Sequence, residues 1–339
     1  MRSNRITLKD IARACGCSAN TVSRALRDDK RLSEATRLLI RDTADQMGYI
    51  PNTMASSLRS GRSRMIAVIV NDLHNQHYCD LINRMDRELR KNNYNLMILC
   101  MQLEDALAEK LIHTAISLSV DGILYFPSFG QRHYIEYMTA NRMPFVLLDR
   151  RVSDLEADTV RCDDEQGGYL AGRHLIELGH RRFLYLSGVD LSSSQIDRLD
   201  GFLRAIRESG IPEDQVQVIP GARVEDALAN NSLSNLIFPG DYTAVVCFRD
   251  EVAYPVMRAL REHGRRIPED VSVISFDNLY EADPSRPAVT SIYSQDQSIA
   301  VLGVQMLLER INDASIPPHN VVLPVRIFDY GTTAPVRTN

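Results

Sequence analysis

The chain has 339 residues, 44% of them hydrophobic and 24% charged, which is enough for two or three globular domains with sizeable cores. No apolar run reaches the roughly 18 residues of a membrane span, and the opening "MRSNRITLKD" runs into charge instead of an apolar signal segment, so a cytoplasmic protein without a membrane partner is expected. The net charge of −5 conceals an asymmetry: residues 1–64 carry 13 Lys and Arg against 6 Asp and Glu, while the remainder carries 26 against 38. A basic head on an acidic body predicts that the head meets a polyanion.

"TLKDIARACG" predicts a first helix capped by Thr7, with Leu8, Ile11 and Ala12 on one face and Gly16 at its end. Ser18 suits the N-cap of a second helix, "ANTVSRAL", and Ser33 that of a third, "EATRLLIRDTADQM", stopping at Gly48. In the second helix Val22, Ala25 and Leu26 share a face, while Asn20, Thr21, Arg24 and Arg27 gather opposite. Three short helices with a tight glycine turn make a helix-turn-helix domain over residues 1–50, whose second helix enters the major groove of DNA. There Asn20 suits an adenine edge, Arg24 a guanine edge and Ala19 a thymine methyl, while Thr21 and Ser23 suit phosphate. A plain solvated helix face is the alternative; the glycine turn, the cap and the basic excess together favour DNA. Cys15 and Cys17 flank the turn without further zinc-ligand spacing, and Cys79, Cys100, Cys162 and Cys247 are scattered, so free, packed thiols are expected and no metal.

After Pro51 comes "NTMASSLRSGRSR", too short to hold as an isolated helix, with Leu58 as its large aliphatic side chain. By itself this reads as a flexible linker ending at Gly61. The stretches "LKDIARACGCSANTVSRAL", "GYIPN" and "SLRSGRSRMIAVIV" resemble the lactose-repressor (LacI/GalR) family of bacterial transcription regulators. That resemblance implies that residues 51–63 form a hinge helix on operator DNA with Leu58 wedged into the minor groove, where apolar side chains kink the duplex. It also adds Thr7, Ser18, Asn52 and Ala55 to the DNA-contacting set.

Further along, the apolar runs "MIAVIV", "LMILC", "GILYF", "FVLLD", "FLYLSG", "AVVCF" and "VSVISFD" alternate with amphipathic stretches such as "YCDLINRMDRELRKNN" and "AYPVMRALREHG". This is the rhythm of parallel α/β units. The resemblance extends over essentially the whole chain and implies an all-α head followed, over residues 64–339, by a two-lobed α/β effector domain like a periplasmic sugar-binding protein. Lobe one is expected at about 64–163 and 293–324, and lobe two at about 164–292 and 325–339. A cleft at the carboxyl ends of strands is where a small ligand belongs. By resemblance the effector pocket takes Asn75, His77 and Tyr78 after the first strand, Asp149 of "LLDR", Arg198 of "DRLDGF", Arg249 of "FRDEVAYPV" and Asp277 of "SFDN". Taken singly, Asp149 or Asp277 could cap a helix and Arg198 could be a surface cation. Two departures from the family pattern leave the effector open: Arg249 stands at a usual asparagine, with Pro255 where a glycine is frequent, and His77 and Tyr78 replace the aromatic pair of Asn-Pro-Phe-Phe. A guanidinium at position 249 in a cleft requires a compensating anion, from the protein or from an acidic ligand.

The chain has no G-x-S-x-G elbow, P-loop, H-E-x-x-H or G-x-G-x-x-G, and His74 and His77 lack a third metal ligand nearby in sequence. No enzyme and no cofactor are therefore expected. The reading that emerges is a ligand-responsive repressor of carbohydrate-metabolism genes, binding a near-palindromic operator as a homodimer and a sugar or sugar derivative as effector. The alternative is a sugar-binding or sugar-modifying α/β protein with an incidental basic head.

Overall fold

The structure, a computed structural model, describes residues 6–50, 61–101, 105–128, 131–152, 156–188, 192–238, 240–294 and 298–337. The chain divides into two compact units, Met1–Ser63 and Arg64–Asn339.

The first unit contains helices α1 (Leu8–Ala14), α2 (Ala19–Leu26) and α3 (Glu34–Gln46). Each begins where the capping residue predicts: Thr7 precedes α1, and Ser18 and Ser33 accept from the N–H groups of Thr21 and Thr36. Gly16 turns the chain between α1 and α2 at φ +64°, a left-handed conformation that favours glycine. The apolar faces meet in a small core of Ile11, Ala12, Val22, Ala25, Ile40 and Ala44, with Cys15 and Cys17 packed against it.

In the second unit the chain first forms β1 (Met65–Val70), α4 (Gln76–Lys91), β2 (Asn95–Cys100), α5 (Asp105–Ser117), β3 (Gly122–Tyr125), α6 (Arg132–Ala140), β4 (Phe145–Leu148) and β5 (Thr159–Cys162). It then crosses at Asp163 into α7 (Asp164–Glu177), β6 (Phe183–Leu186), α8 (Ser193–Glu208), β7 (Val216–Ile219), α9 (Gly221–Ala229), α10 (Leu233–Ile237) and β8 (Ala244–Cys247). There follow α11 (Asp250–Glu262), β9 (Ser272–Phe276), α12 (Leu279–Ala282) and β10 (Thr290–Ser294). The chain ends with α13 (Ile299–Asn312), β11 (Asn320–Leu323) and β12 (Val325–Phe328).

Two six-stranded sheets result, ordered β11-β5-β4-β3-β1-β2 and β12-β10-β9-β8-β6-β7. Each sheet and its helices form one lobe. Strands such as β3, β6 and β8 are buried at every position, as parallel strands covered on both faces must be. The helix α13 belongs to the first lobe, where Ile299, Val304 and Leu307 join a core with Val68, Leu124 and Leu148. The sheets depart from a purely parallel pattern at one place: β12 pairs antiparallel with β10. Pro324 alone separates β11 from β12, so the chain passes directly from an edge of the first sheet to an edge of the second.

Within the second lobe α7 and α8 approach backbone to backbone. A Cβ at Gly168 would lie 1.9 Å from the Arg198 carbonyl oxygen, and one at Gly201 would lie 1.9 Å from that of Glu165. Only glycine permits this distance, and it brings Arg198 on α8 to the first turn of α7. Among the described residues no helix is long and apolar enough to cross a membrane.

Candidate functional site

The face of the head predicted for DNA is built on the second helix. Asn20 is exposed and Ala19 half-buried. The Ser18 hydroxyl accepts from the Thr21 N–H at 3.0 Å and lies 2.8 Å from the Thr21 hydroxyl, so the cap and its partner form one polar patch. Thr7 donates through its N–H and its hydroxyl to Asp10, at 3.0 and 2.6 Å. Arg24 is tethered: its Nε donates to Asp29 Oδ2 at 2.8 Å. Asp29 is also gripped by Arg31, and hydrogen bonds from Arg31 and then Arg24 hold its carboxyl far below the usual carboxylate range. Ser23 is 8% exposed, close in sequence to the buried Val22 and Ala25, so little of its surface is offered to a phosphate. Asn52, Ala55 and Leu58 lie outside the described residues.

The pocket residues of the second unit come from strand ends. Asp149 follows β4 and Asp277 follows β9, both with left-handed backbones, at φ 68° and 93°, and Asn278 continues at 51°. Such conformations are costly for non-glycine residues and persist only where surroundings hold them. The holding group on the β9 side is Asp250, fully buried at the start of α11. Its carboxylate accepts from the Leu279 N–H at 2.8 Å and from the Ser291 hydroxyl at 2.9 Å. Ser291 accepts in turn from the Asn278 N–H at 3.0 Å.

Arg198 is buried, which rules out the surface-cation reading. Its Nε donates to Asp164 Oδ1 at 2.7 Å, Nη1 to the Phe248 carbonyl at 2.7 Å and Nη2 to Asp277 Oδ1 at 3.3 Å, while the guanidinium lies 4.5 Å from the Phe276 ring centre. Burial pushes the Asp164 carboxyl up to about 7 despite the attached guanidinium. On the first-lobe side His77 is buried with Nε2 3.7 Å from Asp149 Oδ1, its ring edge-on to Tyr293. Burial alone lowers the imidazole pKa, but the Asp277 and Asp149 carboxylates outweigh it and raise it to about 9. Burial opposes ionisation of Asp149, and His77, Arg150 and Arg198 overcome it, bringing the carboxyl to about 2. His77 is therefore an imidazolium at neutral pH, and both lobes present charge to one buried place.

Other predicted pocket residues have different duties. Asn75 caps α4, its side-chain oxygen accepting from the His77 N–H at 3.0 Å. Tyr78 is drawn into the first-lobe core against Phe126, and its hydroxyl accepts from Arg150 at 2.9 Å. Arg249 finds its anions in the protein: Nη2 donates to Glu225 at 3.1 Å and Nε lies 3.5 Å from Glu251. Its charge therefore requires no acidic ligand. His74 and His77 do not converge, since the His74 ring is exposed beside Asp72 while His77 is buried. Among the described residues no three His, Cys, Asp or Glu side chains are grouped to hold a metal.

Sequence reading missed Asp164, Asp250, Glu225 and Glu251. The acidic run at 163–165 sits where the chain crosses between lobes, and Asp250 and Glu251 stand in the first turn of a helix, where acids are common whatever else they do. It also missed hydrogen bonds that span the lobes. Glu251 Oε1 accepts from the Gln76 N–H at 2.8 Å and Arg286 donates to the Gln76 side-chain oxygen at 3.1 Å. Arg151 donates to Asp197 at 2.8 Å through its side chain and to the Ser193 hydroxyl at 3.0 Å through its backbone.

Comparison with known proteins matches both parts. Residues 7–52 fit the pattern of bacterial regulatory proteins of the lacI family, and residues 173–333 fit a periplasmic binding protein-like domain. The HTH-type transcriptional repressor PurR of Vibrio atlanticus (strain LGP32) is 32% identical over 311 residues, spanning 91% of this chain and 92% of that protein. The HTH-type transcriptional regulator DegA of Bacillus subtilis (strain 168) is 27% identical over 340 residues, 98% of this chain and all of that one. Among solved structures, a LacI family transcriptional regulator from Enterococcus faecium with bound ribose is 28% identical and superposes with a TM-score of 0.71 over 80% of this chain and 100% of that one. The lac repressor dimer bound to operator and the anti-inducer ONPF, 23% identical, shares the fold with a TM-score of 0.81, over 98% of this chain and 100% of that one. With a helix-turn-helix head, a two-lobed body and a relative this similar along nine-tenths of its length, the chain belongs to the lacI family of bacterial regulatory proteins.

Proposed function

We propose that the chain is a ligand-responsive, sequence-specific DNA-binding repressor that reads a near-palindromic operator as a homodimer and takes a sugar or sugar derivative between its lobes. The observation that carries the reading is the convergence of His77 and Asp149 from one lobe with Arg198, Asp164 and Asp277 from the other, all buried at or beside strand ends. Buried ionised groups are costly unless paired, and where they gather at strand ends between two lobes they mark a site for a polar, hydroxyl-rich ligand. The relatives agree in kind: PurR is named a transcriptional repressor and the Enterococcus faecium regulator holds ribose.

In this reading Asn20, Arg24 and Ala19 read bases, Thr7, Ser18 and Thr21 position the head, and Asn52, Ala55 and Leu58 contact the groove between half-sites. Effector binding changes the angle between the lobes and passes that change along residues 51–63, so ligand and DNA alter each other's affinity by the same factor. The genes regulated are those of carbohydrate metabolism, and the chain carries out no chemical step. The test is fluorescence anisotropy on upstream genomic fragments at rising salt, with and without metabolites that stabilise the protein in a thermal-shift screen. Specific binding that weakens steeply with salt and changes with a stabilising metabolite supports the proposal. Binding without sequence preference, or without response to any stabilising metabolite, would refute it.

A further inference from the structure

The Gln76–Glu251 contact joins the lobes at an informative place. Gln76 is the first residue of α4 and is followed directly by His77. Glu251 is the second residue of α11, next to Asp250, which fixes the loop carrying Asp277. The first turn of α11 thus grips both walls of the cleft at once. Asp250 holds the second-lobe wall through Leu279 N–H, and Glu251 holds the first-lobe wall through Gln76 N–H at 2.8 Å. Glu251 is itself steadied by Arg249, and Gln76 by Arg286.

We infer that Glu251 is a positioning residue: by accepting the Gln76 N–H across the lobes, it holds His77 against the second-lobe charges and the two walls of the cleft together. This deepens the reading of the cleft as the effector site and rests on it. The charged groups that face His77 are Asp149 from its own lobe and Asp277, Arg198 and Glu251 from the other, with the Tyr293 ring edge-on. Its ionisation therefore reports whether the lobes are together. Separation takes away Asp277 and Arg198 and relieves the burial that opposes charging, while Asp149 stays, so the midpoint moves when the lobes part.

The contact can be cut without touching a charge. Proline is favoured at the first position of a helix, and Asn75 before it already has an extended backbone, so Gln76→Pro removes the N–H with little cost to α4. Gln76→Ala keeps the N–H and loses only the Arg286 contact. Glu251→Gln keeps an acceptor and loses the charge. In the full chain with labelled histidines, the His77 midpoint followed by NMR should move away from about 9 in Gln76→Pro, and stay near the wild-type midpoint in Gln76→Ala and Glu251→Gln. Hydrogen exchange over residues 77–79 and 277–281 should quicken in Gln76→Pro alone. A midpoint unmoved by Gln76→Pro, or one moved by Glu251→Gln as much as by Gln76→Pro, would overturn the inference by showing Glu251 to act through space or not at all. Neither readout uses DNA or effector, so failure of operator binding would sink the proposed function while leaving the positioning role standing.

Discussion

Replacing Arg198 with methionine keeps the length of the side chain and its contact with Phe276 while removing the guanidinium that joins Asp164, Asp277 and the Phe248 carbonyl. Breaking a buried ion pair from one side costs about 3–5 kcal/mol, because the abandoned charge stays buried. For a body of this size that is a fall in melting temperature of roughly 10 °C. The loss should depend on pH with a definite sign. Asp164 has a folded value of about 7, above its ordinary 3.8, so its contribution is fully present below the ordinary value and is lost as pH rises through the folded one. Removing the attraction of Arg198 moves that window upward. The methionine variant should therefore lie closest to wild type near pH 5 and fall furthest behind above pH 7, and adding Asp164→Asn should recover part of the gap. Melting followed by far-ultraviolet circular dichroism suits a chain with no tryptophan. A variant that melts with wild type at every pH would refute the pivotal place given to Arg198.

Arg24→Ala should cost about 1–3 kcal/mol at the preferred operator and much less on random DNA, measured by gel shift; equal losses on both would remove Arg24 from the base readers. Asp29→Asn loosens the tether on Arg24 at 2.8 Å, so it should weaken discrimination between operator and random DNA without abolishing binding. Gly201→Ala places a Cβ 1.9 Å from the Glu165 carbonyl, which only backbone movement relieves; thermal melting should show about 1–3 kcal/mol of destabilisation or more, and an unchanged melt would show that α7 and α8 part freely. Because Glu225 and Glu251 already neutralise Arg249, calorimetry on Arg249→Asn should preserve the ranking of neutral against acidic ligands; selective loss of the acidic ones would restore the anionic effector.

The legible parts of this sequence are those where local rules decide. The caps at Ser18 and Ser33, the glycine at 16 and the apolar faces around Ile11 and Val22 place the head helices to within a residue or two, because capping and periodicity act over four residues. Continuous apolar runs likewise locate β1, β3, β6 and β8. The short strands β5, β11 and β12 mix polar with apolar residues and take their place from pairing, so their antiparallel or parallel sense was not written locally. The pocket divides the same way. Asp149 and Asp277 stand at strand ends and were accessible to family pattern, whereas Asp164 and Glu251 become partners only through contacts 34 and 175 residues away along the chain.

That division gives the departures from the family pattern a common cause. Gln76 and His77 replace the Pro-Phe of one loop, and Arg249 replaces the asparagine of another; in sequence they are unrelated changes. In the structure Gln76 and Arg249 both bind Glu251, and His77 lies next to the first. Proline at 76 would have no N–H for Glu251, and asparagine at 249 would leave that half-buried carboxylate without the adjacent guanidinium. The two positions thus meet at one carboxylate. It follows that reversing Gln76 and Arg249 together should cost closure less than the sum of the two single reversals, a coupling that a double-mutant cycle on the His77 titration would measure, and strict additivity would separate them again.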